Sequence, residues 1–81
     1  MDLIELTSFL VENLVKNKEN VSINQVNNEK ETIVQILVDA DDIGSIIGKN
    51  GNIANAIRTI IQASGYVNNL GKIRVNIDTK E

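Results

Sequence analysis

Apolar positions in this chain switch between helical and strand periods, and each switch marks an element. Leu3, Leu6, Leu10 and Leu14 recur at helical spacing, with Ile4, Val11 and Val15 beside them. Asp2 followed by Glu5 resembles a capping box with Asp as the cap. A helix is therefore predicted over residues 2–17, ended by the turn-forming Asn17-Lys18-Glu19-Asn20 cluster. Val21, Ile23 and Gln25 then alternate with Ser22 and Asn24, the pattern of a half-buried edge strand. Asn27-Asn28-Glu29-Lys30 turns the chain into Thr32 to Val38. That run is nearly all apolar and rich in β-branched residues, and is the predicted central strand.

Asp39, Asp41 and Asp42 offer helix-capping carboxylates before Ile43, Ile46 and Ile47, which make one short apolar helical face. Gly48-Lys49-Asn50-Gly51 interrupts that face. A second helix is predicted from Asn52, with Ile53, Ile57, Ile60 and Ser64 on its stripe and Gly65 as its stop. Residues 66–71 read as a loop. Ile73, Val75 and Ile77 then alternate with Lys72, Arg74, Asn76 and Asp78 as an amphipathic strand. Helix, strand, strand, helix, helix, strand is an α+β order that fills residues 1–81 as a single domain, with no repeat or linker.

Composition then narrows the chemistry. The chain has no cysteine, histidine, proline or tryptophan. Disulfide staples, zinc sites built on Cys or His, and Ser-His or Cys-His nucleophiles are excluded. A domain this small buries only about 60% of its unfolded surface. Thirteen isoleucines, eight valines and six leucines supply the dense core that it needs. The start Met1-Asp2-Leu3-Ile4-Glu5 has no basic n-region, and no apolar run is long enough to span a bilayer. A cytoplasmic chain with no membrane contact is expected.

The net charge of −3 is unevenly placed. Residues 1–42 carry three lysines against nine acids, whereas residues 43–81 carry Lys49, Arg58, Lys72, Arg74 and Lys80 against Asp78 and Glu81. An acidic chain is a poor general binder of polyanions. Its basic half meets phosphate if the groups converge, and otherwise is a solubilising surface. For an enzyme the only material is the Asp39, Asp41, Asp42 cluster. It lacks the Asp-x-Asp-x-Asp-Gly spacing of a calcium loop, and capping explains it. No enzyme activity, metal or cofactor is assigned.

The glycine segment admits several readings. A Walker A loop needs four residues between Gly and Gly-Lys and then Ser or Thr, but Gly44 and Gly48 enclose three and Asn50 follows Lys49. The spacing of a dinucleotide fingerprint is also absent. Asn50-Gly51 is a hairpin signal, but isoleucines at helical spacing flank it. What remains is a four-residue turn between two helices. Glycines at both ends let a nucleic-acid backbone approach without a Cβ in the way. The free amides and positive dipole end of the second helix then point over the turn, where phosphate is favoured. A plain helix-helix turn has the same spacing.

Ile46-Ile47-Gly48-Lys49-Asn50-Gly51-Asn52-Ile53, continuing Ala54-Asn55-Ala56-Ile57-Arg58, resembles the core motif of the KH domain. Nearly the whole chain is similar to the small single-domain bacterial proteins of the KH-domain protein A family. The resemblance implies a type II (prokaryotic) KH fold: a three-stranded mixed sheet with three helices on one face. The hairpin would pair strands one and two, and a right-handed two-helix crossover would return strand three parallel to strand two. It also implies a groove that clamps about four single-stranded nucleotides.

Carried over by position, Gly48, Lys49, Asn50 and Gly51 would hold the RNA backbone. Ile43, Ile47 and Ile53 would line the apolar side under the bases, or serve as plain core. Arg58 falls on the second helix as a further contact or a solvated charge. Similar proteins often have a basic residue where this chain has Asn52, and its absence removes a phosphate contact. Phe9 and Tyr66 are the only aromatics, so stacking platforms of the RRM or OB type are not expected.

The resemblance implies a cytoplasmic RNA chaperone or post-transcriptional regulator linked to cell-wall growth and cell size. The alternative is a KH-fold protein-interaction scaffold with vestigial RNA binding. The family is further associated with self-pairing, and with a heterodimer formed with a larger KH-containing partner of the Jag type. On the second long helix Ala54 and Ile61 lie about 80–100° round the wheel from Ile53, Ile57 and Ile60. They are therefore the expected contact. Phe9 falls outside the apolar arc of the first helix.

Overall fold

The computed structural model describes residues 2–80. Its elements are α1 (Leu3–Glu12), β1 (Ser22–Asn27), β2 (Glu31–Val38), α2 (Ile43–Ile47), α3 (Asn52–Val67) and β3 (Lys72–Thr79). The sheet order is β1-β2-β3, with β1 antiparallel and β3 parallel to the central strand. This is the α+β order and mixed sheet expected from the sequence. Thr32, Val34, Ile36 and Val38 of β2 point to the helices and are buried, and Ile73 and Val75 of β3 stand beside Thr32 and Val34. Leu3 and Val11 of α1, and Ile57 and Ile61 of α3, close the core from above. None of these helices is long and apolar enough to cross a membrane.

The hairpin is fixed by Asn28, whose Oδ1 accepts from the Lys30 and Glu31 amides at 2.9 and 2.8 Å. Such a side chain mimics a backbone turn. At the other end of the chain's first helix, the Asp2 side chain accepts from the Glu5 amide at 2.7 Å, as the capping-box pattern requires.

Two boundaries differ from the sequence reading. Helix α1 stops at Glu12, not at residue 17. Asn13 Nδ2 donates back to the Phe9 carbonyl, and the amides of Lys16 and Asn17 donate to the Asp42 carboxylate at 3.1 and 3.0 Å. Asp42 is therefore not a cap for its own helix; it reaches across to tie down the end of α1. Helix α3 runs through Gly65 to Val67. Its true stop is Asn69, left-handed at φ 59°, with the Leu70 amide bonded to the Gly65 carbonyl and the Asn69 amide to that of Tyr66. That is a Schellman motif with Asn in the glycine's place. Gly65 has another role, because a Cβ there would sit 1.9 Å from Ile73 Cδ1.

The buried stripe of α3 is also turned by one residue. Ala54, Ile57, Ile61 and Gly65 face the core, while Ile60 is 44% exposed. Ala54 and Ile61 therefore cannot form the expected contact between copies, because both are already buried within the fold. A wheel drawn on isoleucines alone misplaces the stripe, since the small residues Ala54 and Gly65 belong to it and Gly65 is where helix and sheet come close.

Two outcomes follow from this packing. Ile61→Ala is expected to cost about 2–5 kcal/mol in denaturant unfolding, as a truncated core side chain does. Ile61→Asp, which buries an unpaired carboxylate, is expected to unfold the chain; a folded monomeric Ile61→Asp would place that residue at the surface instead.

Asp42 sets an acid dependence. The Lys16 and Asn17 amides hold its carboxyl below the usual carboxylate range, against the opposing effect of its burial. Its stabilising contribution is thus complete above the ordinary, unfolded-state value. It is lost as pH falls through the lowered folded-state value. Asp42→Asn should be less stable than the parent near neutral pH, and its acid-unfolding curve, followed by circular dichroism, should lack this component.

Candidate nucleic-acid interface

The turn between α2 and α3 is built by backbone angles that ordinary side chains resist. Gly48 has φ 75° and ψ 178°, Asn50 has φ 57° and Gly51 has φ 77°. Asn tolerates the left-handed region better than most residues, so the order Gly-Lys-Asn-Gly suits this path. The Gly48 amide bonds back to the Gly44 carbonyl at 2.9 Å, which ends α2, and the Gly51 amide bonds to Gly48 at 3.3 Å.

The two glycines do different work. At Gly48 an added Cβ would lie 2.6 Å from Ile53 Cγ1, so this glycine also lets the turn seat on the first turn of α3. At Gly51 an added Cβ meets nothing within 4 Å, and the space above it is open. Gly51 is the residue before α3 and has no side chain with which to cap it. The Asn52 amide bonds back to the Lys49 carbonyl and no side chain caps the helix, so the positive end of a 16-residue helix lies beside the exposed side chains of Lys49 and Asn50. An anion at this position finds donors and charge together.

The structure brings most of the predicted residues together. Lys49, Asn50 and Asn52 are exposed on the turn and the start of α3. Ile43 and Ile53 are half-buried and pack on the core, Ile53 beside Gly48 and Ile43 at the far end of α2. Ile47 is half-buried at the end of α2. Arg58 lies two turns down α3, about 10 Å from Gly51 along the axis. Its guanidinium is held in place by neutral acceptors: its Nε donates to the Val75 carbonyl at 3.4 Å and its Nη1 to Asn55 Oδ1 at 3.3 Å.

Gln62 was not singled out by the sequence. Its Nε2 donates to the Ile73 carbonyl at 3.2 Å, one turn beyond Arg58 on the same side of the helix. The signal was the four-residue interval from Arg58, legible only once β3 is known to lie alongside. Asp39 and Asp42 act within the fold, Asp39 accepting from Asp41 and Asn20 and Asp42 from the end of α1.

The difference between the two glycines is measurable. Gly51→Ala is expected to cost roughly 1–2 kcal/mol, the strain of a left-handed alanine. Gly48→Ala should cost more in the same unfolding assay, because the turn must also move off Ile53. Equal losses would mean that Ile53 yields freely.

Comparison with known proteins agrees with this geometry. Residues 4–78 match the family model described as KhpA/KhpB, KH domain. Among relatives, the RNA-binding protein KhpA of Borreliella burgdorferi is 45% identical over 60 residues, covering 74% of this chain and 73% of that protein. The RNA-binding protein KhpA of Chlamydia pneumoniae is 35% identical over 77 residues, covering 95% of each. Among solved structures, Aquifex aeolicus Era Y63A bound to GDP.AlF4- superposes with a TM-score of 0.69 at 12% identity. That match covers 96% of this chain but 30% of the Era chain, and at such identity it concerns the fold alone. With a positive-φ glycine at each end of the turn, a mixed sheet in the expected order and a family match over nearly its full length, the chain belongs to the KhpA/KhpB family of KH domains.

Proposed function

We propose that this chain binds short single-stranded RNA, with the Gly48–Gly51 turn holding the backbone and the half-buried Ile43, Ile47 and Ile53 bordering the bases. The observation that carries the reading is the uncapped start of α3 behind an open Gly51, with Lys49 and Asn50 exposed beside it. The relatives' description as RNA-binding proteins supports it. In this reading the protein works in the cytoplasm as an RNA chaperone or post-transcriptional regulator, in the processes of cell-wall growth and cell-size control that the family resemblance suggests. It has no catalytic role.

Few cations converge on the turn, so binding is weak and gains from pairing. Linking two weak sites raises avidity roughly 10²- to 10⁴-fold without new contacts. We therefore include a homodimer, and a heterodimer with a larger KH-containing protein of the Jag type. Exposed apolar side chains available for either include Phe9 on α1, Val26 on β1, and Ile60 and Val67 on α3.

The double variant Lys49→Asp/Asn50→Asp tests the reading. Both side chains are exposed, so circular dichroism should match the parent, while binding to single-stranded RNA is lost because two carboxylates then face the phosphates. For the parent, two or three neutralised phosphates predict a shallow log-log salt slope of about −1.4 to −2. A folded double variant that binds RNA as well as the parent would favour the scaffold reading.

A further inference from the structure

One side of α3 continues past the reach of the turn and ends on an aromatic ring. Asn55, Arg58, Gln62 and Tyr66 recur at intervals of three and four residues, so they line up along one side of the helix. The bonds from Arg58 to the Val75 carbonyl and from Gln62 to the Ile73 carbonyl lay this side along the outer edge of β3. Tyr66 stands one turn beyond Gln62 and is 83% exposed. With Val67, Asn69 and Gly71 it lines a shallow pocket of about 540 Å³.

A tyrosine ring is usually buried where its apolar face can pack and its hydroxyl can find a partner. The fold makes little use of this one. We propose that Tyr66 is a stacking platform for a nucleobase, so that the RNA site runs from the Gly48–Gly51 turn along the Asn55, Arg58, Gln62 side of α3 and ends on this ring. The proposal rests on the RNA-binding reading above and extends its length.

The dimensions and the charge agree with it. Fifteen residues separate Gly51 from Tyr66, about 22 Å of helix. Four stacked nucleotides, at about 3.4 Å each, cover only about 14 Å. Tyr66 thus lies beyond the four nucleotides that a KH turn clamps, where one or two further bases would arrive. Two cations follow the same route, Lys49 on the turn and Arg58 midway, whereas Lys72 alternates onto the face of the sheet away from the helices. Arg74, by contrast, is engaged with Glu31 at 3.5 Å. Between the cations lie side-chain amides, which suit base edges better than an apolar protein surface.

The chain's one tyrosine, with no tryptophan to mask it, is its own probe. Uridine oligonucleotides of four to eight residues, titrated against the parent, should bind more tightly beyond four nucleotides and quench Tyr66 fluorescence only when longer than four. Base–aromatic stacking is worth about 1–3 kcal/mol, so Tyr66→Ala should weaken the eight-mer about fivefold or more and leave the four-mer unchanged. Tyr66→Phe should retain the gain.

Equal affinity of parent and Tyr66→Ala for the eight-mer, with unquenched fluorescence in the parent, would overturn the extension and leave the turn in place. If the parent bound no oligonucleotide of any length, both readings would fall. A sedimentation coefficient changed by Tyr66→Ala, with RNA binding intact, would assign the ring to a protein contact instead and overturn the proposal.

Discussion

At Gly65 the axis of α3 comes so near to β3 that only a hydrogen atom fits between the backbone and Ile73. Ala54, at the opposite end of the same buried stripe, is the other small residue there, and Ile57 and Ile61 fill the space between. This approach fixes the height of the helix above the sheet and its rotation about its own axis. With the rotation set, Arg58 and Gln62 reach the outer carbonyls of β3, and the uncapped start of the helix is presented beside the Gly48–Gly51 turn. Both the proposed phosphate contact and the side of the helix that continues from it are set by one packing contact far from either.

The turn itself is held from two directions. Ile53 closes on Gly48 from α3, and Asp42, just ahead of α2, binds the chain at the end of α1. A helix as short as α2 has little stability of its own. Its position depends on these ties and on Ile46, which is fully buried in the core. The acidic half of the chain thus supplies one of its carboxylates to the architecture of the basic half.

Periodicity made the element order legible, and the glycine spacing made the turn legible, because both are local. Thr32 to Val38 reads as a central strand from composition alone, and the structure places it between two partners. What escaped was set by contacts between distant segments. The end of α1 depends on a carboxylate 25 or 26 residues away. Gly65 reads as a helix stop in the sequence but is a point of close approach, while the stop is an asparagine. Ile60 and Ile61 are chemically identical neighbours, so only the sheet decides which is buried. Arg58 was visible as a charge, but the strand carbonyl that holds it was not.

The bonds from α3 to β3 also bear on how the molecule avoids its own kind of mistake. β3 lies at the margin of the sheet, and an open strand margin is a template on which another extended chain can grow. The chain has no proline to place there. Instead the Ile73 and Val75 carbonyls are already occupied by the Gln62 and Arg58 side chains, so an incoming strand would first have to displace them. An incoming strand offers the displaced guanidinium only neutral carbonyls, so the exchange brings it no charge pairing in return. The same pair of side chains therefore guards this margin against the cross-strand pairing that leads to aggregation.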